Sequence, residues 1–326
     1  MARPNFLIVG APKCGTTALS TYLSGHPQVF VSTPKEPHYF ATDLPGYRDV
    51  KTLREYERLF AAATPDQACV GEASVFYLYS LQAASRARAS APDARILILV
   101  RNPLDLVISY HSQLVYSRDE SERDFSKAWE LIRFRKAGMQ IPTLCRDHKV
   151  LWYDEIARLG EQSERWLLQF GERRVKFVCF DDFVADTATV YRGIVEFLGL
   201  DDDQRTEFPQ VNPRKSQRND YIANFTERTP PTLVRAAMAA KRILGIQNWG
   251  ILNMLRRWNT TITQPVEPGP RMRQEILDNY EDDILHLGRL MGTSLDHWLQ
   301  PSVGPRTELS RSAQQRDRTA LDLLES

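Results

Sequence analysis

The chain has 326 residues, 42 Lys and Arg against 41 Asp and Glu, a formal charge of +1 at pH 7 and 42% apolar residues. That composition belongs to a globular protein with a sizeable core and excludes collagen, wholesale disorder and a membrane-spanning bundle. The charge balance also excludes a dedicated nucleic-acid binder, which carries a basic excess over its whole domain, so any charge-based function must be local.

In chain order, residues 5–10 (NFLIVG) form a short apolar run that stops at Gly-Ala-Pro, as a strand buried on both faces does, and 16–23 read as a helix. The opening apolar run is too short for a signal peptide or a membrane span, so a cytoplasmic location is expected. Helical patterns follow at 51–63 and 81–89. A second strand over Arg95–Val100 (RILILV) leads through Arg-Asn-Pro into a helix from Leu104 to about Val115, with Pro103 in its first turn. Further helical patterns occupy 125–136 and 148–170. A third strand over 174–180 leads into a helix over 183–198, with Asp186 or Thr187 as its cap and Gly199 as its stop.

Beyond Leu200 the character changes. Residues 201–221 are polar and loop-like, 232–258 are apolar and basic, and 272–298 carry a long amphipathic helix pattern. The polar stretch 301–326 is expected to be a poorly ordered tail. Strands alternating with helices predict an α/β protein, a parallel sheet covered on both faces by helices, in one domain over 1–300. Cys14, Cys69, Cys145 and Cys179 are widely spaced, which predicts neither a disulfide framework nor a metal site.

The strongest local signal is GAPKCGTT over 10–17, between a predicted strand and a predicted helix. Gly10 and Gly15 let the backbone curl and expose N–H groups, Thr16 and Thr17 add hydroxyls, and the helix points its positive end into the loop. The result is an anion cradle with Walker spacing, except that Thr16 stands where the lysine belongs and the cation moves forward to Lys13. Where a Walker-type ATPase wants an acidic residue for magnesium at a nearby strand end, this chain has Arg101. Arg101, with Ser109 on the next helix, suits a second phosphate held by forked hydrogen bonds. The ligand would therefore be anionic at two separate places.

These residues resemble a known family. PKCGTT (12–17) after the first strand and RILILVRNPLDLVISYHSQL (95–114) resemble the two cofactor-binding segments of sulfotransferases that use 3′-phosphoadenosine 5′-phosphosulfate (PAPS). HPQVFVSTPKEPHYF (26–40), GEASVFYLY (71–79), VEFLGL (195–200) and LDNYEDDILHLGRLMGTSLDHW (277–298) extend the likeness in the family's order. The resemblance implies a three-layer, nucleotide-kinase-like P-loop fold with PAPS over the strand ends. It assigns Lys13, Cys14, Gly15, Thr16, Thr17 and Ala18 to the 5′-phosphosulfate and Arg101 and Ser109 to the 3′-phosphate. A looser match, NPRKSQR (212–218), puts Lys215, Ser216 and Arg218 on a loop over the cofactor.

Sulfuryl transfer, like phosphoryl transfer, needs positioning and charge stabilisation, and no metal is expected. Lys13 would neutralise charge on the bridging oxygen as 3′,5′-diphosphoadenosine leaves. For the base, KEPHYF (35–40) resembles the K-E-x-H-F-F segment of heparan sulfate and similar bacterial enzymes, whose glutamate is catalytic. The resemblance makes Glu36 the base, puts Lys35 near the transferred group, and leaves His38 to orient Glu36 or to act as base itself. Read without it, a Lys-Glu pair in a proline-bounded loop is an ordinary surface pair.

Two departures bear on the acceptor. Heparan-type enzymes carry an acidic residue shortly after the aromatic pair, where this chain has Ala41 and then Asp43, and Ala73 replaces the lysine of their EKTP motif. A strongly anionic polysaccharide is therefore not expected; a small-molecule, saccharide or lipid-linked hydroxyl is. From 229 to 266 there is no Asp or Glu, while Arg235, Lys241, Arg242, Arg256 and Arg257 give a local +5 among apolar residues. That segment reads as a helical pair with a solvated basic edge, as a lid over an apolar acceptor, or as a peripheral membrane contact. Two rival functions stay open: a kinase or nucleoside triphosphatase, opposed by Thr16 and Arg101, and a non-catalytic, membrane-peripheral binding protein on the same fold.

Overall fold

The computed structural model of the protein describes residues 3–209 and 268–300, and the backbone of two short strands, Ser216–Gln217 and Thr260–Thr261, which pair antiparallel. The tail expected over 301–326, and the side chains of 229–266, lie outside the described residues. Five parallel strands, β1 (Phe6–Ile8), β2 (Val29–Val31), β3 (Cys69–Ala73), β4 (Arg95–Val100) and β5 (Val175–Cys179), form one sheet in the order β2-β3-β1-β4-β5. β1, β4 and β5 are the three strands that the apolar runs predict. Ile96 to Val100 have no exposure at all, which is why that run carries no polar alternation.

β2 and β3 have no counterpart in the apolar pattern. β2 is three residues long, and β3 (CVGEA) contains a glycine and a glutamate. Gly71 pairs with Phe6, and a Cβ there would stand 2.4 Å from the Phe6 carbonyl oxygen, so only glycine lets β3 approach β1 this closely.

Among the described residues the helices in chain order are α1 (Thr16–Ser24), α2 (Leu53–Arg58), α3 (Phe76–Tyr79), α4 (Ala83–Ser90), α5 (Pro103–Ser117), α6 (Phe125–Glu130), α7 (Ile132–Lys136), α8 (Tyr153–Ile156), α9 (Leu159–Phe170), α10 (Phe180–Ala185), α11 (Thr187–Phe197) and α12 (Pro270–Met291). Several predicted helices are shorter or divided. The 51–63 pattern is helical only over α2, which a capping box between Thr52 and Glu55 starts. The 148–170 pattern divides into a 3₁₀ turn, α8 and α9, because Val150, Leu151, Tyr153 and Ile156 are all buried and no single helical face could bury them together. Asp186 caps α11 by accepting from the Thr189 N–H at 3.0 Å, and Gly199 follows it with φ 68°. The predicted 272–298 helix stops at Met291, where Gly292 takes φ 66°.

Because the strands are parallel, their carboxyl ends share one edge. The segments leaving that edge are the glycine loop after β1, the segment containing Lys35 after β2, Ser74 after β3, Arg101 after β4 and Phe180 after β5. β2 and β3 lie to one side of β1 and β4 and β5 to the other, which opens a crevice at the carboxyl end of β1.

Candidate active site

The glycine loop sits in that crevice. Lys13 (φ 67°) and Gly15 (φ 87°) both take left-handed backbone conformations, which curl the chain so that α1 begins immediately behind it. At Gly15 a side chain would be strained by φ and would press on the Phe180 ring, at 3.2 Å from a built Cβ. α1 has no side-chain cap and no acidic residue in its first turn, so the N–H groups of its opening residues and its dipole face outward. The Cys14 thiol is fully buried, and burial pushes its pKa up despite nearby Arg101. Its Sγ donates to the Pro12 carbonyl at 3.6 Å, so the buried side chain braces the loop from inside and is not placed to meet a ligand.

Arg101 leaves β4 beside this loop. Its Nη1 donates to the Lys13 carbonyl at 3.2 Å, its Nη2 is 3.7 Å from Asp105 Oδ2, and its guanidinium lies 4.6 Å from the Phe180 ring centroid. Among the described residues its buried Nε has no hydrogen-bond partner, an expensive state for a charged donor and a reason to expect an anionic ligand there. Ser109 is buried on α5, and no hydrogen bond joins it to Arg101.

The segment after β2 meets the loop from the other side. Lys35 Nζ donates to Thr16 Oγ1 at 3.3 Å and to the Glu36 carboxylate, so the KEPHYF segment and the phosphate loop are in direct contact. Glu36 Oε2 accepts from the Val75 N–H at 2.7 Å and lies 3.2 Å from His38 Nε2. Burial alone would raise the Glu36 carboxyl, but the Lys35 ammonium and the His38 ring outweigh it and hold its pKa at about 2. The Phe76 N–H also approaches His38 Nε2, at 3.4 Å. The shorter contact and the carboxylate charge favour an Nε2–H directed at Glu36. The Glu36 side chain keeps 29% of its surface exposed and that of His38 only 5%, so Glu36 is the one able to reach a substrate.

Glu36 (φ 68°) and His38 (φ 48°) join Lys13 as non-glycine residues in the left-handed region. Such backbone costs on the order of 1–2 kcal/mol per residue and persists only where its surroundings over-determine it. Here Lys13, Glu36 and His38 are three residues that the sequence marks for chemistry.

The structure thus brings together Lys13, Cys14, Gly15, Thr16, Lys35, Glu36, His38 and Arg101, with Thr17 and Ala18 in the first turn of α1. Lys215 and Arg218 lie outside the described residues, and of Ser216 only the backbone strand is described. Asp43 is committed elsewhere: it pairs with the Ser80 hydroxyl and accepts from the Leu81 N–H at 2.9 Å. Residues that sequence reasoning passed over are Ser74, Val75 and Phe180. Their signal is the end of an unrecognised strand in GEASV and the aromatic that ends the third apolar run. Among the described residues no group of three or more His, Cys, Asp and Glu side chains is placed to hold a metal ion, and no helix is long and apolar enough to cross a membrane.

A parallel sheet with helices on its faces and a glycine loop opening the first helix defines a P-loop-like α/β protein. The sulfotransferase domain family matches residues 3–229. The chain therefore belongs to the sulfotransferase domain family, a class of transferases. It is 26% identical to a sulfotransferase structure from Alicyclobacillus acidocaldarius, with a TM-score of 0.67, covering 92% of this chain and 100% of that one. It is 29% identical over 167 residues to the membrane-associated sulfotransferase kil1 of Dictyostelium discoideum, covering 50% of this chain and 33% of that protein. It is 26% identical over 254 residues to heparan sulfate glucosamine 3-O-sulfotransferase 3B1 of Mus musculus, covering 73% of this chain and 60% of that protein. The matched regions thus span a third to three fifths of the length of these two relatives.

Proposed function

We propose that the protein transfers a sulfuryl group from PAPS to a hydroxyl acceptor. The reading rests above all on one contact, Lys35 Nζ with Thr16 Oγ1 at 3.3 Å, which sets the Lys-Glu pair against the anion loop. The uncapped first turn of α1, the left-handed Lys13 and the unpartnered Nε of Arg101 support a ligand with two anionic groups. The donor, when bound, supplies the activated sulfuryl group and a nucleotide leaving group.

In this reading the amides from Gly15 to Ala18 hold the 5′-phosphosulfate, and Arg101 with Ser109 holds the 3′-phosphate. Lys13 neutralises charge on the departing phosphate oxygen, and Lys35 is the cation beside the transferred group. Glu36 takes the proton from the acceptor hydroxyl, oriented by His38 and by the Val75 amide. Because Lys35, with His38, holds the free carboxylate so acidic, any shift of Lys35 towards the donor makes Glu36 a stronger base.

The acceptor is a hydroxyl of a small molecule, saccharide or lipid-linked compound. Its charge is expected to be lower than that of heparan sulfate, because Ala41 and Ala73, both fully buried, stand where heparan-type enzymes carry charge. A cytoplasmic location fits this reading. Calorimetric titration with 3′,5′-diphosphoadenosine and, separately, ATP with magnesium tests it. Tight binding of the first and none of the second is expected; the opposite result would return the protein to the kinases.

A further inference from the structure

β3 carries a carboxylic acid where a core strand should carry none. Glu72 pairs in register with Leu7 and has no exposed surface. A buried carboxyl without partners is prohibitively costly, so the groups that surround it reveal its use. Among the described residues no lysine or arginine pairs with it. Instead the Tyr56 hydroxyl donates to Oε1 at 3.2 Å, the Ser74 hydroxyl donates to Oε2 at 2.8 Å, and the Tyr77 hydroxyl hydrogen-bonds the same carboxyl.

Each of those three residues also grips one residue of the segment that carries Glu36 and His38. Ser74 Oγ accepts from the His38 N–H at 3.1 Å. The Tyr77 hydroxyl accepts from the Phe40 N–H at 3.3 Å. The Tyr56 ring stacks on Tyr39, with centroids 4.4 Å apart and planes inclined by 15°. Three consecutive residues, His38, Tyr39 and Phe40, are thus each held by a different partner of one carboxyl. The same turn supplies the Val75 N–H that Glu36 itself accepts.

We propose that Glu72 is a positioning residue whose carboxylate, acting through Ser74, Tyr56 and Tyr77, locks the left-handed turn that aims Glu36 and His38. As an ionised acceptor-only group Glu72 receives all three hydroxyl hydrogens, leaving the oxygens of Ser74 and Tyr77 to accept from the loop amides. Once protonated it must donate one hydrogen itself, and the hydroxyl that receives it has to turn its own hydrogen elsewhere. Burial raises this carboxyl to about 7, against the hydrogen bonds from Tyr77, Ser74 and Tyr56, so the two states exchange near neutral pH.

The inference rests on the reading of Glu36 as base, but its test needs no acceptor and reads the loop directly. Amide hydrogen exchange is measured over 36–40 and, as internal standards, over β1 and β4, with 3′,5′-diphosphoadenosine affinity measured alongside by calorimetry. Glu72→Leu is expected to speed exchange in 36–40 by about tenfold, and Glu72→Gln, which keeps hydrogen-bonding atoms but no charge, by about threefold. The strands and the affinity should change by less than about twofold. Unchanged exchange in 36–40 with Glu72→Leu, or an equal rise in β1 and β4, overturns the proposal.

If Glu72→Leu does not fold, the comparison passes to pH. Wild-type protection of 36–40, normalised to β4, should fall about threefold from pH 8 to pH 6, while that of Glu72→Gln stays level. The other ionisable groups facing the carboxyl, His38, Tyr56 on α2 and Tyr77 on α3, are retained in the variant, so the difference isolates Glu72. An equal response in both proteins overturns the proposal. Failure of Glu36 as base would show separately, as full turnover by Glu36→Gln.

Discussion

Arg101 Nη1 donates to the carbonyl of Lys13 at 3.2 Å, so the strand-end cation and the loop that carries the leaving-group cation are mechanically one unit. Arg101 therefore shapes the glycine loop as well as adding charge to the crevice. The Phe180 ring beneath its guanidinium also lies against Gly15, which fixes the third side of the same unit.

Arg101→Lys should separate the two contributions. A lysine keeps the charge but not the fork, and affinity for 3′,5′-diphosphoadenosine should drop by about 10- to 100-fold. Adenosine 5′-phosphosulfate, which lacks the 3′-phosphate, should lose far less. Calorimetry with both ligands checks this; equal losses would mean that Arg101 acts only through the loop backbone.

Lys13→Ala should cut turnover by a factor on the order of 10²–10³, while thermal unfolding stays close to wild type. Lys13 is half-buried and sits at a loop tip, so little core packing depends on its side chain. A variant that turned over normally would remove the leaving-group role.

Glu36→Gln should lower turnover by roughly 10²–10⁴ and leave 3′,5′-diphosphoadenosine affinity nearly intact. Since Lys35 and His38, against burial, hold the carboxyl at about 2, Glu36 stays ionised across the working range. Protonation of Glu36 in the unliganded enzyme should therefore take no part in any acid limb of kcat/KM for the donor above pH 5. A limb that vanished in Glu36→Gln would contradict that ionisation state, and full activity of the variant would transfer the base role to His38.

Much of this site was legible in the chain. RILILV matches β4 residue for residue, and Pro103 opens α5. The loop could be read because glycine spacing between a strand and a helix is a local signal. What was not legible depends on packing at long range. β3 hides because Gly71 answers to the Phe6 carbonyl and Glu72 to hydroxyls on α2 and α3, and neither residue looks like a strand interior on its own. The family resemblance pointed to Glu36 and His38, but nothing in KEPHYF itself announces that the backbone turns left-handed at both. The breaks in 148–170 have the same origin, since core contacts on several sides override one helical period.

Glu72 gives a prediction about stability rather than rate. Its carboxyl is raised from 4.5 to about 7 on folding, so between those values the folded state holds a proton that the unfolded chain has released. Stability relative to Glu72→Gln should then fall as pH rises from about 4.5 to about 7 and level off above, by up to ~3 kcal/mol. Denaturant titrations of both proteins at several pH values measure it. A parallel pair of curves would show that Glu72 does not change its protonation on folding.

The left-handed backbone at Lys13 and Glu36 sets durability against reactivity. Glycine would relieve the steric cost at either position. A search for heat-resistant variants of this protein should therefore keep finding replacements at these two positions that are hardier and inert. Any programme to toughen the enzyme must hold both residues fixed and look for its gains in the helices behind the sheet.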